Sequence, residues 1–445
     1  MAAELMALQR QLDASQWWPV AKMRAAQFRQ LRSLIAHAAK YVPFYARRLR
    51  AAGIDPERFT EEDWERLPVL SRREMQANGE RLLARQVPKS HGGTHTSSSG
   101  GSTGVPVRVR KTALDDLMWN AMQVRDELWN RPDHQGTIAR IRGTSPVLTP
   151  DQQALTFTTG LALSDWGPPA SLLWQTGPIW LLNDHVPVPD QAAFLRRLNP
   201  AYLFTFPSNL RLLLAHFRET GEVLPALRSV WTMSEVVDDT MRAQCREIFG
   251  CRIVHNYTSA ETGYMALQCP DYDHFHVMSE TLHLEALHPD GRPCAPGEIG
   301  RVVITPLHNF AMPLLRYEIG DEAELGEPCA CGRGLPVLRR IVGRMYDYLV
   351  LPSGQKQRVD TGFLRIAAIR AVREFQVVQR SLDRGEILLV LSRPLTAAET
   401  EEILQVLREK VSPDLHFDIS IRDSIPRTAA GKLRIFVSDL PTTVA

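Results

Sequence analysis

From about residue 136 to 310 short apolar runs alternate with amphipathic stretches, and this alternation narrows the possible folds more than any other feature. GTIARIR, GPIWLL, AYLFTF, SVWTM, CRIVHNY and RVVIT each have the length of a strand. NLRLLLAHFRE and DDTMRAQCREIF carry apolar residues at helical spacing. Strands that alternate with helices are joined by crossovers, so the expectation is α/β with largely parallel sheets. Residues 1 to about 75 read as helical, with Trp17, Trp18, Phe28, Leu31, Leu34 and Ile35 recurring at helix-like intervals. YVPFY and LPVLSRREM are proline-marked breaks, and Ser71 is placed to cap a helix. VPVRVRK reads as a strand and ALDDLMWNAMQVRDELW as a helix. Beyond IVGRMYDYLV the pattern changes again. EFQVVQRSLDRGEILLVLSR, ETEEILQVLREKV and DLHFDISIRDSI read as strand pair, helix and strand, a compact α+β domain of about 100 residues. With 445 residues, a large domain with a smaller one attached is the plain expectation.

Composition excludes several classes of partner. Net charge is +2 and no long Lys/Arg block occurs, so nucleic acid is not indicated. The basic residues of RQLRSLIAHAAKYVPFYARRLR alternate with apolar ones as on a solvated helix face. MAAELMALQRQLDAS lacks the apolar centre of a signal peptide, and no apolar run approaches the roughly 20 residues that span a bilayer. Six cysteines in so long a chain do not make a disulfide framework. A soluble, cytoplasmic protein is expected.

SSSGGSTGVP, at residues 97–106, cannot fill a core. Glycine-rich backbone leaves amides free to surround an anion, and hydroxyls add donors. The stretch follows a helical region and precedes a strand, unlike the usual strand–loop–helix phosphate site, and lacks the GK[ST] ending. A flexible Ser/Gly linker fits it equally well.

SGGSTGVP resembles the phosphate loop of the adenylate-forming enzymes, the acyl-CoA synthetase superfamily. Ser99, Gly101, Ser102, Thr103, Gly104 and Pro106 match, while Gly100 and Val105 stand where a hydroxyl residue and a lysine are common. Further segments match in the same order. NYTSAETG resembles the Tyr-Gly-x-x-Glu motif, which implies that Tyr257 packs on adenine and Glu261 holds Mg²⁺, with Thr258 in place of the usual glycine. MSEVV is similar to the segment lining the adenine pocket, at Ser234 and Glu235. RYEIGD is similar to Tyr-Arg-Thr-Gly-Asp and implies that Asp321 binds both ribose hydroxyls. GRMYDYLV resembles the interdomain hinge. Arg344 matches there, and Tyr346 stands where Asp or Lys is usual. PRTAAGKLR places the catalytic lysine at Lys432. Within the superfamily, HAAKYVPFYARRLRAAGIDPERF, LPVLSRREM and PCACGRGLPVLRRIVGR resemble the phenylacetate–CoA ligases and their capsule-biosynthesis-associated relatives. LVLPSGQKQRV looks more like the capsule-associated branch.

The resemblance implies a large N-terminal domain of mixed sheets flanked by helices, with a small mobile α+β C-terminal domain. Its divisions are a helical module at 1–75, a nucleotide- and substrate-binding core at 76–342, a hinge at 343–347 and the mobile domain at 348–445. It implies ATP-dependent activation of a carboxylic acid to an acyl adenylate, with Mg²⁺, followed by transfer to coenzyme A. Phosphate charge builds in such a step, and amides, hydroxyls, a metal and a lysine are what it needs. Lys432 would neutralise charge where carboxylate and α-phosphate meet, then leave as the small domain rotates. Phe204, Phe206 and Pro207 suggest an apolar or aromatic acid, or simply strand core. Alternatives are transfer to an amine, a carrier protein or another small molecule, nucleotidyl transfer, or a non-catalytic nucleotide-binding relative. A homodimer is left open.

Two ligand pairs, Cys269 with His276 and Cys329 with Cys331, could bind one structural Zn²⁺. Some relatives resemble this with a Cys–His–Cys–Cys site. The other reading is free thiols with His274 or His276 on the surface. Cys245 and Cys294 look unrelated to the pairs, and His91 and His95 border the Ser/Gly loop.

Overall fold

The structure, a computed structural model, describes residues 1–98, 107–143, 147–344, 348–352, 356–358, 365–366, 369, 371–413, 415–426, 433 and 436–440. Of residues 344, 348, 356–358 and 410 it describes the backbone alone. The N-terminal segment is helical as expected, with helices Ala2–Ser15, Val20–Tyr41, Pro43–Ala51, Glu61–Arg66 and Arg72–Ala77. Ser71 caps the last of these in a capping box with Glu74, the same device that starts Ala113–Asn130 at Thr112.

A mixed sheet of twelve strands forms the centre. Five strands run parallel in the order Ile179–Leu182, Ile138–Ile141, Tyr202–Thr205, Ser229–Met233, Arg252–Ser259. The short strand Leu161–Leu163 closes one edge, antiparallel to its neighbour. On the other side Gly263–Gln268, Phe275–Val277, Val337–Arg344, Tyr317–Leu325, Ile299–Pro306 and Leu282–Leu287 continue the sheet antiparallel. The expectation of largely parallel sheets is therefore corrected, since RVVIT belongs to the antiparallel half. From Val302 to Pro306 that strand is buried on both faces, so it reads like a parallel one.

The N-terminal helices cause that burial. Leu31, Leu34 and Ile35 share one core with Leu267, Val302, Ile304 and Leu314. Helices Val188–Leu198, Pro207–Thr220 and Asp239–Phe249 cover one face of the parallel strands, over Ala139, Ile141, Leu203, Val230 and Ile253. From Ile138–Ile141 the chain builds Ile179–Leu182 on one side, then returns to place Tyr202–Thr205 on the other. The strand order reverses there, and the crevice outside the carboxyl ends of such strands is where open α/β sheets take ligands.

The Ser/Gly run lies between two paired strands, Thr94–Ser98 and Arg108–Thr112, with Ser98 opposite Arg108. A strand therefore precedes it, where the sequence suggested only a helical region. THTSS is polar and mostly exposed, so no hydrophobic alternation marks it. The C-terminal segment has its own core, with Val377, Ile387, Leu389, Ile403 and Leu407. It holds the expected pair Val372–Gln379 and Arg384–Leu391, helix Ala397–Lys410 and strand His416–Ile421, and adds Phe436–Ser438 as a fourth strand. Among the described residues no helix is long and apolar enough to cross a membrane.

Candidate active site

Strand Arg252–Ser259 runs into the turn of NYTSAETG. A bulge between Tyr257 and Thr258 re-aims the strand before the turn. Ser259 Oγ accepts from the amide of Thr262 at 3.1 Å and lies 3.0 Å from its hydroxyl, which locks the turn. Gly263 follows at φ +92°, and a Cβ there would come within 2.9 Å of Trp119 Cε3. Glycine is thus required both by the backbone and by the close approach of Trp119.

Glu261 stands on this turn and is buried, with Arg72 Nη1 3.6 Å from its Oε1. That distance is an ion pair without a hydrogen bond. Ser97 Oγ donates to the carbonyl of Ala260 at 3.5 Å, so the base of the Ser/Gly hairpin rests on the Glu261 turn. Lys111 on the same hairpin is half-buried. Burial lowers its pKa, while Asp115, Asp116 and Glu261 pull it back up. The sequence reading missed both Arg72 and Lys111, although Arg72 adjoins the cap Ser71 and Lys111 ends the VRVRK run beside the loop.

Tyr257 Oη donates to Asp321 Oδ2 at 2.7 Å, and both residues are buried. Asp321 faces Arg344 in the register of their two strands. A carboxylate offers about four acceptor sites, so the tyrosine leaves Asp321 capacity for further donors. Ser234, just past strand Ser229–Met233, has φ +75°, uncommon for a residue with a side chain. Glu235 accepts from the Ser208 amide at 2.8 Å and from the Ser208 hydroxyl at 3.2 Å. Its carboxylate thus binds the N-terminus of helix Pro207–Thr220, where negative charge is favoured. Phe206 and Pro207 are buried at that helix start, and Phe204 is half-buried beside them. His95 pairs with Asp116 at 3.5 Å, and His91 packs on Phe310. Ser99, Gly101, Ser102, Thr103, Gly104, Pro106, Tyr346 and Lys432 lie outside the described residues, as does the side chain of Arg344.

The four residues Cys269, His276, Cys329 and Cys331 do come together, their ligand atoms within 4.8 Å of one another. Cys269 Sγ lies 3.9 Å from Cys329 Sγ, and Cys331 Sγ lies 3.4 Å from His276 Nε2. A zinc tetrahedron with sulfur arms of about 2.3 Å has edges of about 3.8 Å, so the set fits. His276 is fully buried rather than on the surface, and burial holds it at about 4, neutral as a metal ligand must be. Burial pushes Cys329 up to about 12, a charge deficit that a divalent cation would supply. His274 approaches the same sulfur, at 3.0 Å from Cys329. Cys294 forms a separate cluster with His288 and Glu298, where Arg292 already lies 3.4 Å from the Glu298 carboxylate. Cys245 lies 4.0 Å from Cys251, both as free thiols.

Residues 351–439 match the family described as the CapK C-terminal domain. The chain is 26% identical to a phenylacetate-coenzyme A ligase of Thermus thermophilus over 94% of this chain and 96% of that one. Protein CapK of Staphylococcus aureus is 24% identical over 48% of this chain and 46% of that one. Among solved structures, 2-hydroxyisobutyryl-CoA ligase in its postadenylation state superposes with a TM-score of 0.73 at 18% identity, covering 96% of this chain and 91% of that one.

Proposed function

The chain belongs to the adenylate-forming enzymes, in the branch of phenylacetate–CoA ligases and CapK, and on that premise we propose that it is an AMP-forming acid–CoA ligase. It activates a carboxylic acid with ATP, releases pyrophosphate, and passes the acyl group to coenzyme A. The observation that carries this reading is the Tyr257–Asp321 hydrogen bond beside the Glu261 turn. It joins two motif segments, 64 residues apart in the chain, in one buried site.

In this reading Asp321 accepts from the ribose hydroxyls, and Tyr257 is fixed by the same carboxylate as a wall for adenine. The Ser234–Glu235 segment offers its backbone to the base, since the Glu235 carboxylate is held by Ser208. Ser99, Gly101, Ser102, Thr103 and Gly104 bind the β- and γ-phosphates, in the run joined to strands Thr94–Ser98 and Arg108–Thr112, of which Ser97 bonds to the Glu261 turn. Lys111 adds positive charge there. The Glu261 carboxylate suits Mg²⁺, which when bound screens the phosphate charge. Lys432 draws the two anions together in the first half-reaction. Cys269, His276, Cys329 and Cys331 hold a structural zinc.

A second reading keeps adenylation but passes the activated group to an acceptor other than coenzyme A. One assay addresses both: pyrophosphate release and hydroxamate trapping over a library of carboxylic acids, with and without coenzyme A. Thioester formed only with coenzyme A supports the ligase. Acid-dependent pyrophosphate release with no thioester from any acid would favour another acceptor. No acid-dependent release at all would overturn adenylation.

A further inference from the structure

Two arginines occupy the crevice where the strand order reverses. Arg140 and Arg142 stand two residues apart on one strand and so share a face. The intervening Ile141 and the preceding Ala139 lie under the helices, which sends both guanidiniums to the opposite face. Arg140 is in register with Leu181 on one side and Phe204 on the other. Arg142 lies past the carboxyl end of its strand, with its guanidinium carbon 4.3 Å from the ring centre of Phe206 and 4.9 Å from that of Phe204.

Neither guanidinium has an ion-pair partner among the described residues. Among the described residues the hydrogen-bond contact of Arg142 Nη1 is to the sulfur of Met233, at 3.7 Å. The nearest carboxylates, Asp184 and Glu235, attract Arg142 from beyond ion-pair distance, and each also meets a neighbour of its own, Glu235 at Ser208 and Asp184 at His185. Burial and the neighbouring Arg140 push Arg142 down to about 10. Like charges side by side in a half-buried place are unfavourable, and a ring face compensates them only in part. The pair borders a cavity of about 20 Å³ closed by Leu148, Thr156, Leu181 and Leu182. That volume takes the end of a polar group and not a ring.

The Glu261 turn, where a nucleotide phosphate would bind, belongs to another strand of the sheet. Arg142 is three strands from that turn's strand, about 14 Å at roughly 4.8 Å per strand. Resting on the adenylation reading, we propose that the acid substrate carries a second anionic group, remote from the reacting carboxylate, received by Arg142 with Arg140 behind it. The Phe204 and Phe206 rings lie against the Arg142 guanidinium and give the receiving end an apolar flank. The substrate class is thus a dianionic acid with an apolar middle, rather than the simply apolar or aromatic acid that FTFPSN suggested.

The test uses matched pairs of acids: linear α,ω-diacids against monoacids of equal length, and arylacetates with and without a ring carboxylate. Pyrophosphate release should favour the dianionic member of at least one pair by about tenfold or more in kcat/KM. Arg142→Gln should collapse that ratio, Arg142→Lys should restore part of it, and Arg140→Gln should reduce it less. Without ATP, the preferred dianion should raise the Tm of the wild type and not of Arg142→Gln. Equal or better use of monoacids, with the ratio untouched by Arg142→Gln, would overturn the inference and leave adenylation standing. So would weakened ATP binding in Arg142→Gln with an unchanged ratio. No acid-dependent release from any acid would instead overturn adenylation, and the thermal shift would still decide whether Arg142 receives a dianion.

Discussion

The carboxylate of Asp321 accepts from Tyr257 and faces Arg344 across the sheet, so its loss removes a charged acceptor from a buried place. Each hydrogen bond to a charged group is worth about 1.5–3 kcal/mol. Asp321→Ala should therefore weaken ATP binding by about tenfold or more by calorimetry, and a change below about twofold would contradict its role. Lys432→Ala should lower pyrophosphate formation by about 10²-fold, on the scale of one lost electrostatic donor. Transfer from prepared acyl adenylate should stay near its wild-type rate. Equal loss of both half-reactions would mean that the lysine has been misread. Tyr257, Glu261 and Asp321 were legible because each sits in a short motif. Arg72 and Lys111 were not, because only folding brings residues 72 and 111 beside residue 261.

The turn from Ser259 to Gly263 positions Glu261 through its own hydroxyl bonds and through the absence of a side chain at Gly263. Gly263→Ala would place a methyl 2.9 Å from Trp119 at φ +92°. The expected cost is about 1–3 kcal/mol, seen as a lower urea midpoint with unchanged m. Activity should fall as well, since Trp119 and the Glu261 turn must separate. A midpoint within error of wild type would show that the helix carrying Trp119 yields freely. The strands and helices around this turn were legible from period and from caps such as Ser71 and Thr112. Strand Thr94–Ser98 was not, because a polar hairpin strand shows no hydrophobic alternation.

The proposed metal would link two distant parts of the molecule, since Cys269 and His276 are 60 and 53 residues before Cys329. Protein purified without added metal should contain about one zinc per chain by elemental analysis, and chelation should lower Tm. Absence of zinc, with a Tm indifferent to chelators, would sink the site. A second whole-molecule effect is acid sensitivity. Burial holds His255 at about 3 and His283 at about 4. His283 is wedged between Phe28 and Trp64, where the N-terminal helices meet the sheet. Unfolded imidazoles titrate near 6.5, so below that pH the unfolded chain binds more protons. Stability is full above about 6.5 and falls as the pH drops toward the folded values. Between pH 7 and 5 each histidine should cost about 2 kcal/mol, and His283→Gln should flatten the Tm profile. An unchanged slope would show that His283 is not the source.

The alternation of strands and helices, the change of pattern near residue 350 and the order of the motif residues could all be read from the chain, because these depend on period and local chemistry. Tertiary structure decided which runs pair parallel, since RVVIT and SVWTM are both short apolar runs and only one of them has parallel neighbours. It also set Tyr257 on Asp321, Arg72 by Glu261, and three cysteines and a histidine at one point. The two arginines, without an ion pair among the described residues, were equally hidden. In the sequence, IARIR is a strand with two basic residues; only the reversal of strand order puts them in a crevice where no described carboxylate comes within ion-pair distance.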